Sequence, residues 1–207
     1  MVDRQIKARG IVDPRVLAAM SKVPRHRFLP PSLWSAAYRD TPLPIGEEQT
    51  ISQPYIVALM TEALELAGNE RILEIGTGVG YQTAILAELG DHVLSIERLP
   101  SLAHAAADRL RDLGYENVEA LLGDGTLGLP DRAPFDRILA AGGVPRIPSV
   151  FEEQLADSGI LVLPVGGRLE QDLVKVRRIG HRFEEERLLP CRFVPLVGRY
   201  GWHDSHR

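Results

Sequence analysis

Short apolar runs alternate with amphipathic segments along the chain from residue 71 onward. Such runs are typical of strands buried on both faces, and apolar residues three or four positions apart are typical of helices that cover a sheet. Strands are predicted at 71–75, 92–96, 118–122, 135–140, 160–163, 172–179 and 187–196. Helices are predicted at about 81–89, 100–113 and 148–156. This order predicts an α/β fold with a doubly wound, mostly parallel Rossmann-like sheet.

The first part of the chain has a helical pattern with one interruption. Gly10 ends a first helix, Asp13-Pro14 begins a second, and residues 32–38 form a further short helix. Residues 40–53 contain Pro and Gly with little periodicity, so extended chain and loop are expected there. A helix then runs over 54–64 and is closed by Gly68.

These patterns predict one domain with three parts. Residues 1–68 form an N-terminal helical extension with a loop, packed on the core; residues 69–198 form the core, and residues 199–207 form a tail. A chain of 207 residues, 44% of them hydrophobic, suits one sizeable core.

Composition narrows the cellular setting and the partners. The net charge of -4 argues against a general nucleic-acid binder. The single cysteine, Cys191, allows neither an intramolecular disulfide nor a thiolate zinc cluster, which favours a reducing, cytoplasmic setting. We find no signal-peptide pattern and no run long enough to span a membrane. We therefore expect a cytoplasmic monomer that binds no metal, nucleic acid or membrane.

An alternating-glycine turn follows the strand at 71–75. Gly76, Gly78 and Gly80 lead into a helix that begins at about Tyr81. A strand, a glycine turn and a helix start together form a nucleotide-binding elbow, although a turn without a ligand has the same pattern. The third glycine comes one residue earlier than in the dinucleotide motif Gly-x-Gly-x-x-Gly. The spacing here is typical of S-adenosylmethionine enzymes.

Three carboxylates lie at or beside the ends of consecutive predicted strands. Glu97, about 20 residues beyond the glycines, is placed to bind ribose hydroxyls, as it would be for NAD also. Asp124, followed by Gly125, is placed to accept from an adenine amino group. Glu74 faces the site or caps the loop beneath it. Each acid alone could be bonded to backbone, but three around one glycine turn favour a ligand site.

Two further stretches, with landmarks near both ends of the chain, resemble the protein-L-isoaspartate O-methyltransferase family. The more specific stretch is the loop Ile45-Gly46-Glu47-Glu48-Gln49-Thr50-Ile51-Ser52-Gln53-Pro54. Pro134-Phe135-Asp136 is the other, and Arg9-Gly10-Ile11, Val23-Pro24-Arg25 and Phe193-Val194-Pro195-Leu196 are the landmarks. The resemblance extends from about residue 3 to 198. Departures are Arg146, where many members have an acid, and Val57, where some have His.

The resemblance implies a cytosolic repair enzyme that moves a methyl group from S-adenosylmethionine to the free α-carboxylate of L-isoaspartyl residues in damaged proteins and peptides. It also implies a sheet whose last two strands are exchanged in order relative to most such methyltransferases. The implied cofactor-binding residues are Glu74, Gly76, Thr77, Gly78, Gly80, Glu97, Asp124, Gly125 and Gln171. The implied substrate-binding residues are Gln49, Thr50, Ile51 and Ser52.

Ser52 is the candidate catalytic residue. A carboxylate nucleophile is ionised at pH 7 and needs no general base. A neutral hydroxyl donor can therefore orient the carboxylate and lower its nucleophilicity less than a strong cation would. The competing interpretation is that Ser52 caps the following helix. For the chain as a whole, the alternatives are a methyltransferase for a small molecule or RNA, an NAD-dependent oxidoreductase, and a binding module without activity.

Overall fold

The computed structural model describes residues 1–203 of the chain. The predicted tail at 199–207 is therefore described only as far as His203. By residue type His203 and His206 could bind a metal, although a polar terminus is the better interpretation, and His206 lies outside the described residues. A two-stranded hairpin and a seven-stranded sheet hold the strands. Their bounds are Leu43–Gly46 (β1), Gln49–Ile51 (β2), Arg71–Ile75 (β3), His92–Glu97 (β4), Val118–Leu122 (β5), Phe135–Ala140 (β6), Leu155–Gly166 (β7), Gln171–Ile179 (β8) and Arg182–Cys191 (β9).

Five α-helices accompany these strands in the described part of the chain. They are Pro14–Lys22 (α1), Pro54–Ala63 (α2), Tyr81–Ala87 (α3), Pro100–Asp112 (α4) and Ser149–Glu153 (α5). Asp13 accepts bonds from the backbone N–H groups of Arg15 and Val16, as the predicted N-cap of α1 should. The first nine residues form a π-helical turn at Val2–Ile6 and a 3₁₀ turn at Lys7–Arg9 instead of one regular helix.

The large sheet has the strand order β5-β4-β3-β6-β7-β8-β9. The pairs from β5 to β7 are parallel, and β8 and β9 are antiparallel to their neighbours. The mostly parallel, doubly wound sheet is therefore confirmed. At the antiparallel end of the sheet, β7, β8 and β9 lie side by side in chain order, and β9 is the edge strand. This is the order of the last two strands that the family resemblance implies.

Residues 40–53 are extended chain and loop, as predicted, and the extended parts pair as the hairpin β1–β2, whose two turn residues, Glu47 and Glu48, adopt left-handed φ angles of 51° and 58°. The predicted bounds of β7, α5 and β9 were wrong. The strand predicted at 160–163 extends over Leu155–Gly166, because Leu155 pairs with Phe135 of β6 and residues 160–166 pair with β8, and α5 is correspondingly shorter. The last strand begins and ends earlier than 187–196, since the turn at Gly180-His181 fixes its register with β8.

Each face of the sheet buries its own apolar cluster. On β3, Ile72 packs in a cluster with residues of the N-terminal segment, α2 and α3, including Met20 and Val57. Leu73 and Ile75 point to the opposite face and pack in a cluster with Phe151 of α5. The N-terminal segment therefore shares the core of the sheet. No helix within the described residues is both long and apolar enough to cross a bilayer.

Candidate active site

The glycine turn lies where the winding of the sheet reverses. From β3 the chain continues to β4 and β5 on one side, and it later returns to β6 on the other side. The loops after β3 and β6 therefore face each other at the carboxyl edge, which is the usual ligand position in such sheets. A Cβ atom at Gly76 would lie 3.6 Å from the Cβ of Ala141 in the opposing loop.

A cavity opens between these loops, and we call it the inner cavity. Its walls come from the hairpin, the start of α2, the glycine turn, the end of β4, the loop after β6 and the segment after β9. The lining residues are Ile45, Gln49, Thr50, Ile51, Ser52, Val57, Ile75, Gly76, Thr77, Gly78, Val79, Tyr81, Gln82, Ile96, Glu97, Arg98, Leu99, Gly125, Ala141, Gly142, Val194, Pro195, Leu196 and Val197. All four predicted substrate residues therefore share one cavity with the glycine turn.

Glu97 is fixed at the end of β4 by two backbone donors. Its Oε2 accepts from the N–H of Gly78 at 2.9 Å, and its Oε1 accepts from the N–H of Leu99 at 3.0 Å. The residue is 8% exposed. A carboxylate has about four lone-pair positions, so further acceptor capacity stays on the cavity side. Glu97 thus holds the glycine turn in place and presents oxygens that could accept from ligand hydroxyls.

Glu74 lies beneath the glycine turn and outside the cavity lining. Its Oε2 accepts from Thr83 Oγ1 at 2.5 Å and from Ser95 Oγ at 2.6 Å, and Ser95 in turn contacts Thr77 Oγ1 at 2.6 Å. Burial, and to a smaller extent the nearby charge of Glu97, raise the pKa of Glu74 to about 7, although the bonds from Ser95 and Thr83 act in the opposite direction. The structure thus places Glu74 under the loop, in a chain of bonds that ends at Thr77 in the cavity wall.

Three other predicted residues also lie outside the lining. Gly80 is the N-cap residue of α3 and faces α4, where an added Cβ would lie 3.1 Å from Leu110 Cδ1. Gln171 bonds the backbone on both sides, donating to the carbonyl of Gly167 and accepting from the N–H of Phe193. Asp124 accepts from Thr126 and from the N–H of Arg199. Their contacts with the cavity are therefore indirect, in contrast to that of Gly125, which lines it.

Ser52 stands between β2 and α2 without capping the helix. The N-cap residue of α2 is Gln53, with no side-chain cap, and the N–H of Tyr55 donates instead to Asp40 Oδ1 at 2.9 Å. Among the described residues, the Ser52 hydroxyl has no hydrogen-bond partner. The capping interpretation of Ser52 was therefore wrong, because Asp40, 15 residues before Tyr55, supplies the acceptor.

A second depression, which we call the outer groove, adjoins the inner cavity at Ser52. It runs between the loop before α2 and the end of β9. The lining residues are Arg9, Pro42, Thr50, Ser52, Gln53, Ile56, Ala141, Leu189, Pro190, Cys191, Arg192, Phe193 and Val194. Thr50, Ser52, Ala141 and Val194 line both spaces. The site therefore has two compartments, and the two residues with hydroxyl groups that line both of them are Thr50 and Ser52.

Several lining residues have no signal in the local sequence pattern. Ala141 and Gly142 follow β6, and the segment 194–197 comes from the far end of the chain. Arg98 and Leu99 could have been inferred from their position directly after Glu97. Val57, noted only as a departure from the family pattern, forms part of the wall. Among residues 1–203, no group of three His, Cys, Asp or Glu side chains is placed to hold a metal ion.

The inner cavity fits an adenosine-containing methyl donor. A Cβ at Gly78 would meet only the Ile45 side chain within 4 Å, so the turn is open toward the cavity. Glu97 offers carboxylate oxygens in the lining, and Ile75, Ile96 and Leu196 add apolar residues to it. A Rossmann-like sheet with this turn and carboxylate defines the class of S-adenosylmethionine-dependent methyltransferases.

Comparison with known proteins gives the family within this class. A model of the protein-L-isoaspartate(D-aspartate) O-methyltransferase family matches residues 1–201. A protein-L-isoaspartate O-methyltransferase from Syntrophus aciditrophicus is 59% identical over 205 residues, which cover 98% of this chain and 94% of the relative. A solved structure of the same name has a TM-score of 0.85 and 30% identity, covering 97% of this chain and 67% of that one. The chain belongs to the protein-L-isoaspartate(D-aspartate) O-methyltransferase family.

A second solved structure supports the fold. It comes from Plasmodium falciparum in complex with S-adenosyl-L-homocysteine, with a TM-score of 0.81, 22% identity, and coverage of 95% of this chain and 96% of that one. Family membership makes the chain an S-adenosylmethionine-dependent methyltransferase. It thereby decides against a dinucleotide-dependent oxidoreductase.

Proposed function

We propose that this enzyme repairs damaged proteins and peptides by methylating the free carboxylate of their L-isoaspartyl residues, with S-adenosylmethionine as donor. The observation that carries the proposal is the position of Ser52. Its hydroxyl lies where the inner cavity meets the outer groove, and it is not engaged as a helix cap. A peptide in the outer groove can therefore present a carboxylate to Ser52, while the donor occupies the inner cavity. An open groove of this kind also favours a peptide over a small enclosed molecule.

In this reaction the residues of the site position the two reactants and do not transfer a proton. When bound, S-adenosylmethionine supplies a methyl group carried on a positively charged sulfonium. The isoaspartyl carboxylate is already ionised near pH 7, so no side chain has to remove a proton first. Ser52 donates one hydrogen bond that orients the carboxylate, and Val57 and Ile75 add apolar surface to the inner cavity on its cofactor side. The neutral donor leaves the carboxylate more nucleophilic than a lysine or arginine would.

The remaining predicted residues divide into contact and support roles. We infer that Gly76, Thr77, Gly78, Glu97 and Gly125 contact the cofactor directly, since they line the inner cavity. Glu74, Gly80, Asp124 and Gln171 act through the loops that they hold. Gln49, Thr50 and Ile51 form the substrate side of the junction. In this division residues 1–68 carry the substrate loop and residues 69–198 carry the cofactor site.

The activity is tested with radiolabelled S-adenosylmethionine and two peptides that differ only in one residue, L-isoaspartate or L-aspartate. We expect base-labile label, released as methanol, from the isoaspartyl peptide alone. Equal labelling of the two peptides, or no labelling of either, would refute the proposed substrate.

The role of Ser52 is tested by Ser52→Ala, with Ser21→Ala as a matched control on an exposed helix face. Loss of one oriented hydrogen bond should lower kcat/KM for the isoaspartyl peptide by about 10- to 100-fold. Affinity for S-adenosylhomocysteine, measured by calorimetry, should change less than about twofold, because the hydroxyl is assigned to the carboxylate. A Ser52→Ala enzyme with full activity would remove the catalytic role and leave the overall function intact.

We further propose that the enzyme is a cytoplasmic monomer that acts without nucleic acid or membrane. The net charge of -4 and the single cysteine support this setting. Size-exclusion chromatography with light scattering should give one species near the 22.9 kDa chain mass. A stable dimer at micromolar concentration would contradict the monomer.

A further inference from the structure

The chain after β9 does not leave the molecule as a free tail. It crosses back over the carboxyl edge of the sheet, from β8 to the loops after β6 and β5. Phe193 N–H donates to Gln171 Oε1 at 2.7 Å, and the N–H of Leu196 donates to the carbonyl of Gly143 at 2.9 Å. Further on, the N–H of Arg199 donates to Asp124 Oδ2 at 2.9 Å. We call the segment 194–202 the brace, because it joins loops on both sides of the inner cavity.

The first half of the brace is part of the cavity wall. Residues 194–197 all line the inner cavity, as residues 76–78 of the glycine turn do. The carbonyl of Val194 accepts from the N–H of Gly143 at 2.9 Å, so this half pairs with the loop after β6 in both directions. The wall therefore depends on a segment that belongs to no helix and to none of the nine strands of the sheets.

The second half folds back on itself and is pinned by Trp202. The N–H of Trp202 donates to the carbonyl of Leu196 at 2.8 Å, and the N–H of Gly198 donates to the carbonyl of Trp202 at 3.1 Å. The indole Nε1–H donates to the carbonyl of Gly143 at 3.0 Å. The guanidinium of Arg168 lies 4.9 Å from the centre of the Trp202 ring. One side chain thus ties the fold-back to the loop after β6.

The second half of the brace is also bonded to the loop after β5, at Asp124 and Thr126. Asp124 Oδ1 accepts from Thr126 N–H at 2.9 Å and from Thr126 Oγ1 at 2.6 Å. The N–H of Tyr200 donates to Thr126 Oγ1 at 3.1 Å. A Cβ at Gly198 would lie only 2.1 Å from Asp124 Oδ1, so the close approach requires glycine there. The carboxylate that the sequence assigns to the cofactor is therefore committed to the C-terminal segment.

We propose that the brace sets cofactor affinity and that Trp202 is its positioning residue, acting through the wall at 194–197 without contacting the reacting atoms. The proposal rests on S-adenosylmethionine occupying the inner cavity. Losing the indole bond frees the fold-back from Gly143 and lets the wall move away from the glycine turn. Part of the free energy of cofactor binding is then used to return residues 194–197 to their position, so the affinity for the cofactor falls. The chemical step at Ser52 is unchanged once the cofactor is bound.

The test uses Trp202→Phe, with Trp34→Phe as a matched control. Trp34 also donates its indole N–H to a backbone carbonyl, that of Leu29 at 3.1 Å, away from the inner cavity. Trp202→Phe should weaken S-adenosylhomocysteine binding and raise the KM for S-adenosylmethionine by about 3- to 10-fold, as expected for one neutral hydrogen bond. The value of kcat at saturating cofactor should stay within about twofold of wild type. Trp34→Phe should leave both affinity and KM unchanged.

The two tryptophans of the chain also allow a direct spectroscopic reading. In Trp34→Phe, Trp202 is the only indole, and adding S-adenosylhomocysteine should shift its emission and reduce acrylamide quenching as the brace tightens. Gly198→Ala, which displaces the brace from Asp124, should weaken binding in the same direction. Equal affinities of Trp202→Phe and wild type, or an emission that does not respond to saturating ligand, would overturn the proposal. Failure of wild type to bind the ligand would instead refute the cofactor assignment of the cavity.

Discussion

The buried carboxyl of Glu74 should make the unfolding free energy of the protein fall as the pH rises toward 7. Its side chain is fully buried, and among the described residues its Oε1 has no hydrogen-bond partner. Burial raises the pKa of Glu74 to about 7 from an ordinary value of 4.5. The folded protein therefore keeps this proton up to about pH 7, whereas the unfolded chain releases it near pH 4.5. Folding takes up a proton in that window, so the contribution of Glu74 to stability falls as pH rises through it.

The size of the effect follows from the difference in pKa. Each pKa unit corresponds to about 1.4 kcal/mol, so raising the pH from 5 to 8 should remove about 2–3 kcal/mol of unfolding free energy through Glu74 alone. Glu74→Gln mimics the protonated carboxyl and cannot titrate. The quantity to compare is the unfolding free energy of Glu74→Gln minus that of wild type. This difference should be about 2–3 kcal/mol larger at pH 8 than at pH 5. For a chain of this length that corresponds to a difference of about 5–7 °C in Tm.

The measurement is urea unfolding of wild type and Glu74→Gln at pH 5 and pH 8, at constant ionic strength. The contributions of other titrating groups are the same in both proteins, so they cancel when the change between pH 5 and pH 8 is compared for wild type and Glu74→Gln. Glu116→Gln is the control, since Glu116 is exposed and has no ion pair among the described residues. Parallel pH profiles for wild type and Glu74→Gln would show that Glu74 is ionised throughout and would refute this reasoning.

Two further predictions concern the glycine turn and the carboxylate that holds it. Glu97→Gln places an amide N–H₂ against a backbone donor, Gly78 or Leu99, and should weaken S-adenosylhomocysteine binding by about 10- to 100-fold in calorimetry; unchanged affinity would contradict the role. Gly80→Ala introduces a Cβ at a φ of 88° and 3.1 Å from Leu110, and should lower the unfolding free energy by about 1–3 kcal/mol. A Gly80→Ala protein as stable as wild type in urea would contradict the packing argument.

Local patterns predicted most of the sheet because the information for a buried strand is local. The bounds Arg71–Ile75, Val118–Leu122 and Phe135–Ala140 agree with the predicted runs. These segments are short and apolar, and each is followed by polar or glycine residues. The ends of β7 and β9 were missed. The start of β7 pairs with β6 at Phe135 and passes through polar and glycine residues at 157–159. The start of β9 pairs with β8 through the acidic run 184–186, and neither stretch carries an apolar signal.

The sequence by itself determined the class of fold, the glycine turn and Glu97 as the carboxylate beside it, since these depend on residues close together along the chain. Only the tertiary structure decided which predicted residues contact the cavity. Asp40 caps α2 from a distance and so leaves Ser52 available at the junction. The brace returns across the sheet edge and engages Asp124. Both results depend on contacts between segments far apart in sequence, and no local pattern specifies which donor reaches which carboxylate.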